Sequence, residues 1–355
     1  MEFPLFKTKI KGLTKKFNLT DPVDRQRYFE AKAGEEIEKL KTYFERDSFI
    51  AYLLAKKSAG KGTYAGLLQE IFGPERIAHI SVGDIVRRVD EEIKDPQKKK
   101  ELEDFMRAHY RGFQSMEEIF QAQKNRDTKG LAHSAETILV LLEREISRLG
   151  KKTLLIDGFP RNLDQVSYSL FYRTLVGYRD DPDLFILINV PEVVIDERMK
   201  NRVICPKCRL SRNLKLLRTQ MIDYDRENDT FFLKCENPAC QGERMVGKEG
   251  DELGIEAIRS RLNQDGELMA KAFSLYGIPK ILLRNSVPVN LAKILVDDYE
   301  ITPAYSYSWD EGKKAVRVTE VPWIIKDDQG TESYSLLAPA VVVPLIKELV
   351  KALRL

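Results

Sequence analysis

The sequence predicts an α/β protein built on a parallel, doubly wound sheet, and three observations lead there. Short apolar runs of strand length alternate with longer stretches of helical period, the order that buries a parallel sheet between helices. The first run, SFIAYLLA (48–55), passes through a glycine-bearing loop, KKSAGKGT, into a helical pattern, which is the context a phosphate-binding loop requires. All four cysteines, Cys205, Cys208, Cys235 and Cys240, fall within 36 positions late in the alternation, so a small cysteine-bearing insertion interrupts it.

In chain order, residues 1–20 are basic and irregular. Residues 22–46 form a charged helix candidate with Asp21 as N-cap and Pro22 in the first turn. After the strand at 48–55, TYAGLLQEIFG (63–73) has helical spacing with Gly73 as its stop, and IAHIS (77–81) is a second strand candidate. Residues 95–128 are charged and helical, and LAHSAETILVLLEREISRLG (131–150) is an amphipathic helix ended by Gly150. KTLLID (152–157) and LFILINV (184–190) read as buried strands, the second followed by a helix over 191–202. A helix over 254–277, a strand over 278–285 and a helix starting at 289–295 complete the alternation. Beyond about 296 the chain turns aromatic and ends in a helix over 339–355.

Composition excludes several classes. Lys plus Arg number 58 and Asp plus Glu 55 among 355 residues, a net charge of +3, too balanced for a protein that coats nucleic acid. No apolar run approaches the ~20 residues that span a bilayer. The N-terminal stretch has no apolar core with a cleavage site, so a cytoplasmic protein without a signal peptide is expected. Two disulfides would need an oxidising compartment for which no targeting signal speaks. CPKC, 26 residues and then CENPAC read better as two knuckles offering four thiolates to a structural zinc ion. The three histidines, His79, His109 and His133, are scattered and are not read as ligands.

The loop departs from the pattern of Gly, four free positions, Gly-Lys and a hydroxyl: Gly60 and Lys61 are present, Ala55 stands at the leading glycine, and Thr63 comes one place late. Such a loop points successive backbone N–H groups into one concavity at a helix N-terminus, where the dipole favours an anion. Lys61 would reach the β- and γ-phosphates and Thr63 would hold magnesium. Asp157 ends a buried strand, the position of a carboxylate that orders magnesium and its water. Arg161, after Gly158, Phe159 and Pro160, stands on a rigid turn at a carboxyl strand end, where a doubly wound fold places ligands.

KSAGKGT, HISVGD with Arg87, IDGFPR with Gln165, ERMKNR before the cysteines, and EAIRSRL occur in that order. Together they resemble the adenylate kinase family of nucleoside monophosphate kinases over about residues 49–295. The resemblance implies a P-loop NTPase three-layer fold with a parallel sheet, a helical monophosphate-binding insertion at about 82–131 and a small zinc-binding lid at about 203–248. Residues 1–48 and 296–355 would be extensions outside this core, the first helical, the second strands plus a helix. It implies the reaction of magnesium ATP with AMP to give two ADP, by a monomer. Ser58, Ala59, Gly60, Lys61, Gly62 and Thr63 would cradle the ATP, with Arg198 stacked on its adenine and Val287 nearby. Val82, Arg87, Gly130, Leu131, Ala132, Gly158, Arg161 and Gln165 would hold the AMP. Lys61, Arg87, Asp157, Arg161, Arg202 and Arg261 would form the catalytic set, Arg202 and Arg261 moving in with the lid. Thr63 and Asp157 would hold magnesium, the latter through water.

Four departures qualify the resemblance. Ala55 and Ser58 replace loop glycines, and Lys56 and Lys57 occupy positions often held by proline or apolar residues. If the turn at Ala55 requires positive φ, alanine strains it by about 1 kcal/mol. Val82 stands where a threonine is usual, which weakens strict AMP use, whereas the Gln165 amide suits the Watson–Crick edge of adenine. The arginine that usually precedes the acidic pair, here Asp251 and Glu252, is missing, and Lys248 is the candidate substitute. The terminal extensions are expected to pack on the core. A kinase for another monophosphate, or a silent nucleotide-binding relative, stays open on the sequence alone.

Overall fold

The computed structural model describes residues 1–125, 134–161 and 180–355. Its centre is a five-stranded parallel sheet in the order β10-β4-β1-β3-β2, made by β1 (Ile50–Ala55), β2 (Ile77–Ser81), β3 (Thr153–Asp157), β4 (Asp183–Asn189) and β10 (Lys280–Arg284). Every residue of β1 is buried, as a strand covered on both faces requires. The period of two sends Ala51, Leu53 and Ala55 into one apolar cluster and Ile50, Tyr52 and Leu54 into the other. The first cluster is closed by α1 (Pro22–Tyr43), α2 (Lys61–Phe72), α7 (Glu192–Lys200) and α10 (Ala338–Leu353), the second by α3 (Val82–Glu92), α4 (Pro96–His109), α6 (Ala135–Ser147) and α8 (Arg259–Ser274). Both faces are thus covered, in three layers. β1 lies between β3 and β4, so the chain diverges on either side of it. The crevice at its carboxyl end is the switch point where such sheets receive ligands.

Three predicted helices have different ends. Residues 95–128 contain two helices, α4 and α5 (Met116–Asn125), and 126–128 lie outside the described residues. α7 stops at Lys200, because Asn213 donates to the carbonyls of Glu197 (3.1 Å) and Arg198 (3.1 Å) and Arg202 enters strand β5 (Arg202–Ile204). The stretch 254–277 opens with a 3-10 turn, Gly254–Ile258, and α8 begins only at Arg259.

The cysteine insertion contains the sheet β6-β5-β9, with β6 Ser211–Asn213 and β9 Val246–Gly247, and a hairpin of β7 (Ile222–Asp225) and β8 (Thr230–Leu233). After α9 (Val289–Leu295), a long hairpin of β12 (Pro303–Asp310) and β13 (Ala315–Pro322) reaches this insertion. The Tyr305 N–H donates to the Lys215 carbonyl (2.7 Å) and the Tyr307 hydroxyl to that of Leu214 (2.5 Å). Trp309 stacks on Tyr224 with ring centres 5.2 Å apart, and the Arg226 guanidinium lies 4.9 Å from the Trp309 ring. Alternation puts Tyr305, Tyr307 and Trp309 on one face of β12. Trp309→Ala is expected to speed amide exchange over 222–233 several-fold, in keeping with the ~0.5–1.5 kcal/mol of an aromatic pair beyond its buried area. Unchanged exchange there would mean the hairpin does not hold the insertion.

The two terminal extensions meet each other. Lys32 of α1, wholly buried, donates to the Thr8 carbonyl (2.9 Å) and pairs with Asp297 (2.5 Å) and with the equally buried Glu300 (3.5 Å). Glu300 also accepts from the hydroxyls of Thr8 (2.6 Å) and Tyr28 (2.5 Å), and burial, then the Glu300 charge, push the Tyr28 hydroxyl well above the usual tyrosine range. Charges this deep are tolerated because each finds partners. β11 (Ser286–Pro288), β15 (Glu332–Ser335) and β14 (Ile324–Lys326) form a small sheet that leads into α10.

Candidate functional site

The loop between β1 and α2 lies at the switch point. Gly60, at φ 96°, precedes the first helical residue and has no side chain with which to cap it, so the helix N-terminus faces outward with its backbone donors. Ala55 remains within the strand, paired to Ile188, and carries no positive φ. The strain falls instead on Ser58, at φ 64°, a conformation that costs a non-glycine residue on the order of 1 kcal/mol. The condition for strain at Ala55 is therefore not met: a strand residue keeps an ordinary extended backbone, and the turn comes three residues later. The Lys61 ammonium folds back onto the carbonyls of Ala55 (3.0 Å) and Lys56 (3.4 Å) and lies 3.6 Å from Asp157 at the end of β3. The Thr63 N–H donates to Gly60 (2.9 Å) in the first turn of α2.

Cations converge on this loop from distant segments. Arg198 of α7 donates to the Ala59 carbonyl (3.2 Å) and to the Asn285 side-chain oxygen (3.3 Å). Arg161 donates from Nε to the Gly158 carbonyl (3.0 Å). Burial, and then the neighbouring Arg261, depress its pKa, with Asp157 and Asp265 opposing and Arg87 adding to the depression. A Cβ placed on Gly83, near the start of α3, would lie 3.6 Å from one Arg87 nitrogen and 4.0 Å from one of Arg161, so the two guanidinium groups flank that helix N-terminus. Arg87 is also bonded to Asp84. Arg202 grips Asp251 with two bonds, one of 2.7 Å, and Arg261 pairs with Asp265 at 2.9 Å. The Lys57 ammonium is held below the usual lysine range by burial and by the charges of Lys248, Arg261 and Arg202. Lys248, the candidate substitute for the missing arginine, thus lies close enough to Lys57 for its charge to act there.

The other expected positions fall differently. Val82 is buried in the core, and a Cβ on Gly158, at φ 82°, would come within 3.4 Å of it, so the turn there takes only glycine without strain. Val287 of β11 is likewise core, paired with Tyr334 of β15. Gly130, Leu131, Ala132 and Gln165 lie outside the described residues. A cavity of about 1060 Å³ behind the loop is lined by Lys56, Met269, Arg284 and Asp328 among others, but by none of Arg87, Arg161, Arg202 or Arg261.

Sequence reading missed Asp265 and Asn285. Asp265 stands four residues after Arg261, a helical ion-pair spacing that was legible. Asn285 is fully buried and takes its partners, Arg198, Ser335 and Leu336, from segments far away in sequence, which no local pattern announces.

In the insertion, the four cysteine sulfurs lie within 4.8 Å of one another, with Cys208 and Cys235 3.6 Å apart. Four thiolates about 2.3 Å from one tetrahedral ion stand about 3.8 Å apart, so the group fits a metal ion. Among the described residues no helix is long and apolar enough to cross a membrane.

A five-stranded parallel sheet, a glycine-bearing loop at its switch point and a collar of arginines and lysines are consistent with a protein of the phosphate-loop class. No family model matches the chain. The adenylate kinase of Thermotoga neapolitana is 27% identical over 255 residues, which cover 71% of this chain and 97% of that protein. The adenylate kinase of Thermotoga petrophila is 32% identical over 168 residues, 46% of this chain and 64% of the relative. That of Clostridium acetobutylicum is 31% identical over 164 residues, 46% of this chain and 63% of the relative. These similarities support the adenylate kinase family.

Proposed function

We propose that the protein transfers the γ-phosphoryl group of ATP to AMP, giving two ADP. The observation that carries this reading is the convergence of Lys61, Arg87, Arg161, Arg202 and Arg261, from five separate segments, around the outlet of one phosphate loop. Phosphoryl transfer asks little covalent help of a protein; it needs alignment and positive charge about the equatorial oxygens. An AMP phosphate oxygen attacks the γ-phosphorus, the bond to the β–γ bridging oxygen breaks, and ADP leaves.

Ser58 to Thr63 cradle the donor phosphates, and Lys61 leaves its carbonyl partners to meet them. Arg87 and Arg161 hold the acceptor α-phosphate at the N-terminus of α3, each planar fork offering paired donors. Arg202 and Arg261 join as the insertion closes, shutting out the water that would otherwise take the phosphoryl group. Thr63 and Asp157 are the residues that would hold the magnesium that comes with ATP, Asp157 through water, and it would supply charge to neutralise the phosphates. Cys205, Cys208, Cys235 and Cys240 hold a structural zinc ion that staples the insertion.

A second acceptor is favoured by one observation. Val82 is buried and has no hydroxyl to offer a base, so discrimination among monophosphates rests more heavily on Gln165. Purified protein with magnesium ATP and AMP, CMP, UMP, GMP or dTMP separately is expected to form diphosphate with AMP foremost. Product mainly with a pyrimidine nucleotide would move the assignment to that acceptor, and no product with any would establish a silent nucleotide binder.

A further inference from the structure

The phosphate loop of this chain has lost two glycines and gained a backbone donor: Lys57, unlike proline, carries an N–H that must be satisfied. That N–H is taken by Asp265 of α8 at 2.8 Å, through one carboxylate oxygen. The other oxygen pairs with Arg261 at 2.9 Å. Asp265 is 4% exposed, and a carboxylate enclosed beside a phosphate site opposes the anion the site is to receive. Burial raises its pKa, while Arg261, Lys61, the Lys57 N–H and Arg161 pull the other way. A carboxyl group buried beside an anion site calls for a reason other than stability. The next residue supplies one. Ser58 takes a left-handed backbone without being glycine, and such strain persists only where neighbours over-determine the turn.

We propose that Asp265 is a positioning residue for the donor nucleotide: one oxygen locks the Lys57–Ser58 turn of the phosphate loop, and the other parks Arg261 beside it. The eroded half of the loop is thereby shaped from outside, by a side chain on α8, in place of the glycines that would shape it from within. When ATP arrives, Arg261 exchanges the carboxylate for phosphate oxygens, while the bond to Lys57 stays. This inference rests on reading the loop as the donor site.

The test is kinetic analysis of Asp265→Ala and Asp265→Asn, with magnesium ATP affinity measured by calorimetry without acceptor and Lys57 amide exchange alongside. Asp265→Ala is expected to raise KM for ATP about tenfold, as loss of a charge-assisted bond does, with a smaller change in KM for AMP and faster exchange at Lys57. Asp265→Asn keeps an acceptor for the N–H and removes the buried charge. It is expected to melt at or above the wild-type temperature and still bind ATP more weakly, a split that loss of packing would not produce. Wild-type ATP affinity, or tighter binding, in Asp265→Asn and in any folded Asp265→Ala overturns the proposal. If the wild type makes no diphosphate with any acceptor, the proposed reaction fails, and the calorimetry alone decides the role of Asp265.

Discussion

Lys61→Ala is expected to lower phosphoryl transfer on the order of 10²- to 10³-fold, the usual effect of deleting one preorganised donor to a transition-state oxygen. Its melting temperature should stay close to that of the wild type. In the resting site the ammonium answers two loop carbonyls, of Ala55 and Lys56, and lies near the Asp157 carboxylate. The Lys61 and Asp157 side chains keep part of their surface in solvent, so water can replace the lost donor there. The largest loss therefore appears in kcat, because the γ-phosphoryl group gains charge on its equatorial oxygens only as it leaves ADP. Lys61→Arg is not a conservative change here, since a planar fork does not fit the space of a point charge. Turnover equal to wild type in Lys61→Ala would remove this residue from the mechanism.

Protein purified without chelator is expected to carry about one zinc ion per chain, and Cys235→Ser should lose it. Cys205, Cys235 and Cys240 with Leu233 and Met245 make up a small buried cluster, too slight to order the insertion by itself. Binding of a four-thiolate ion is folding free energy for such a unit. Without metal, residues 203–248 should become sensitive to limited proteolysis while the five-stranded sheet stays folded, because the cysteine cluster is separate from the two apolar clusters of the sheet. Activity should fall with the zinc content, since Arg202 sits on a strand of the insertion and Asp251, its partner, follows it. Metal analysis that finds no zinc, or a Cys235→Ser protein with wild-type activity, would defeat this reading.

The terminal extensions do more than cover the sheet. Asn285 accepts from Arg198 and donates to the Leu336 carbonyl, so the C-terminal segment helps orient the arginine beside the phosphate loop. Asp328, on the turn between β14 and β15, accepts from the Glu192 N–H (2.8 Å) and lies 3.4 Å from the Lys56 ammonium. The β12–β13 hairpin meanwhile grips the cysteine insertion through Tyr305, Tyr307 and Trp309. One extension thus touches both a residue beside the loop and the cysteine insertion.

Local pattern alone determined the strands, the loop-to-helix context of Lys61, the grouping of four thiols and the DGFPR turn. Each depends on residues a few places apart, where period, φ preference and ligand spacing act directly on the chain. Helix ends at Lys200 and Arg259 were misjudged because their stops come from partners elsewhere: Asn213 caps one, and Asp196 draws the Ile255 N–H into the turn before the other. Only tertiary structure decided where strain falls in the phosphate loop, that Asp265 braces it, and that the aromatic tail clasps the insertion. Those outcomes are contacts between segments tens to hundreds of residues apart, set by how the layers pack, and no spacing along the chain encodes them.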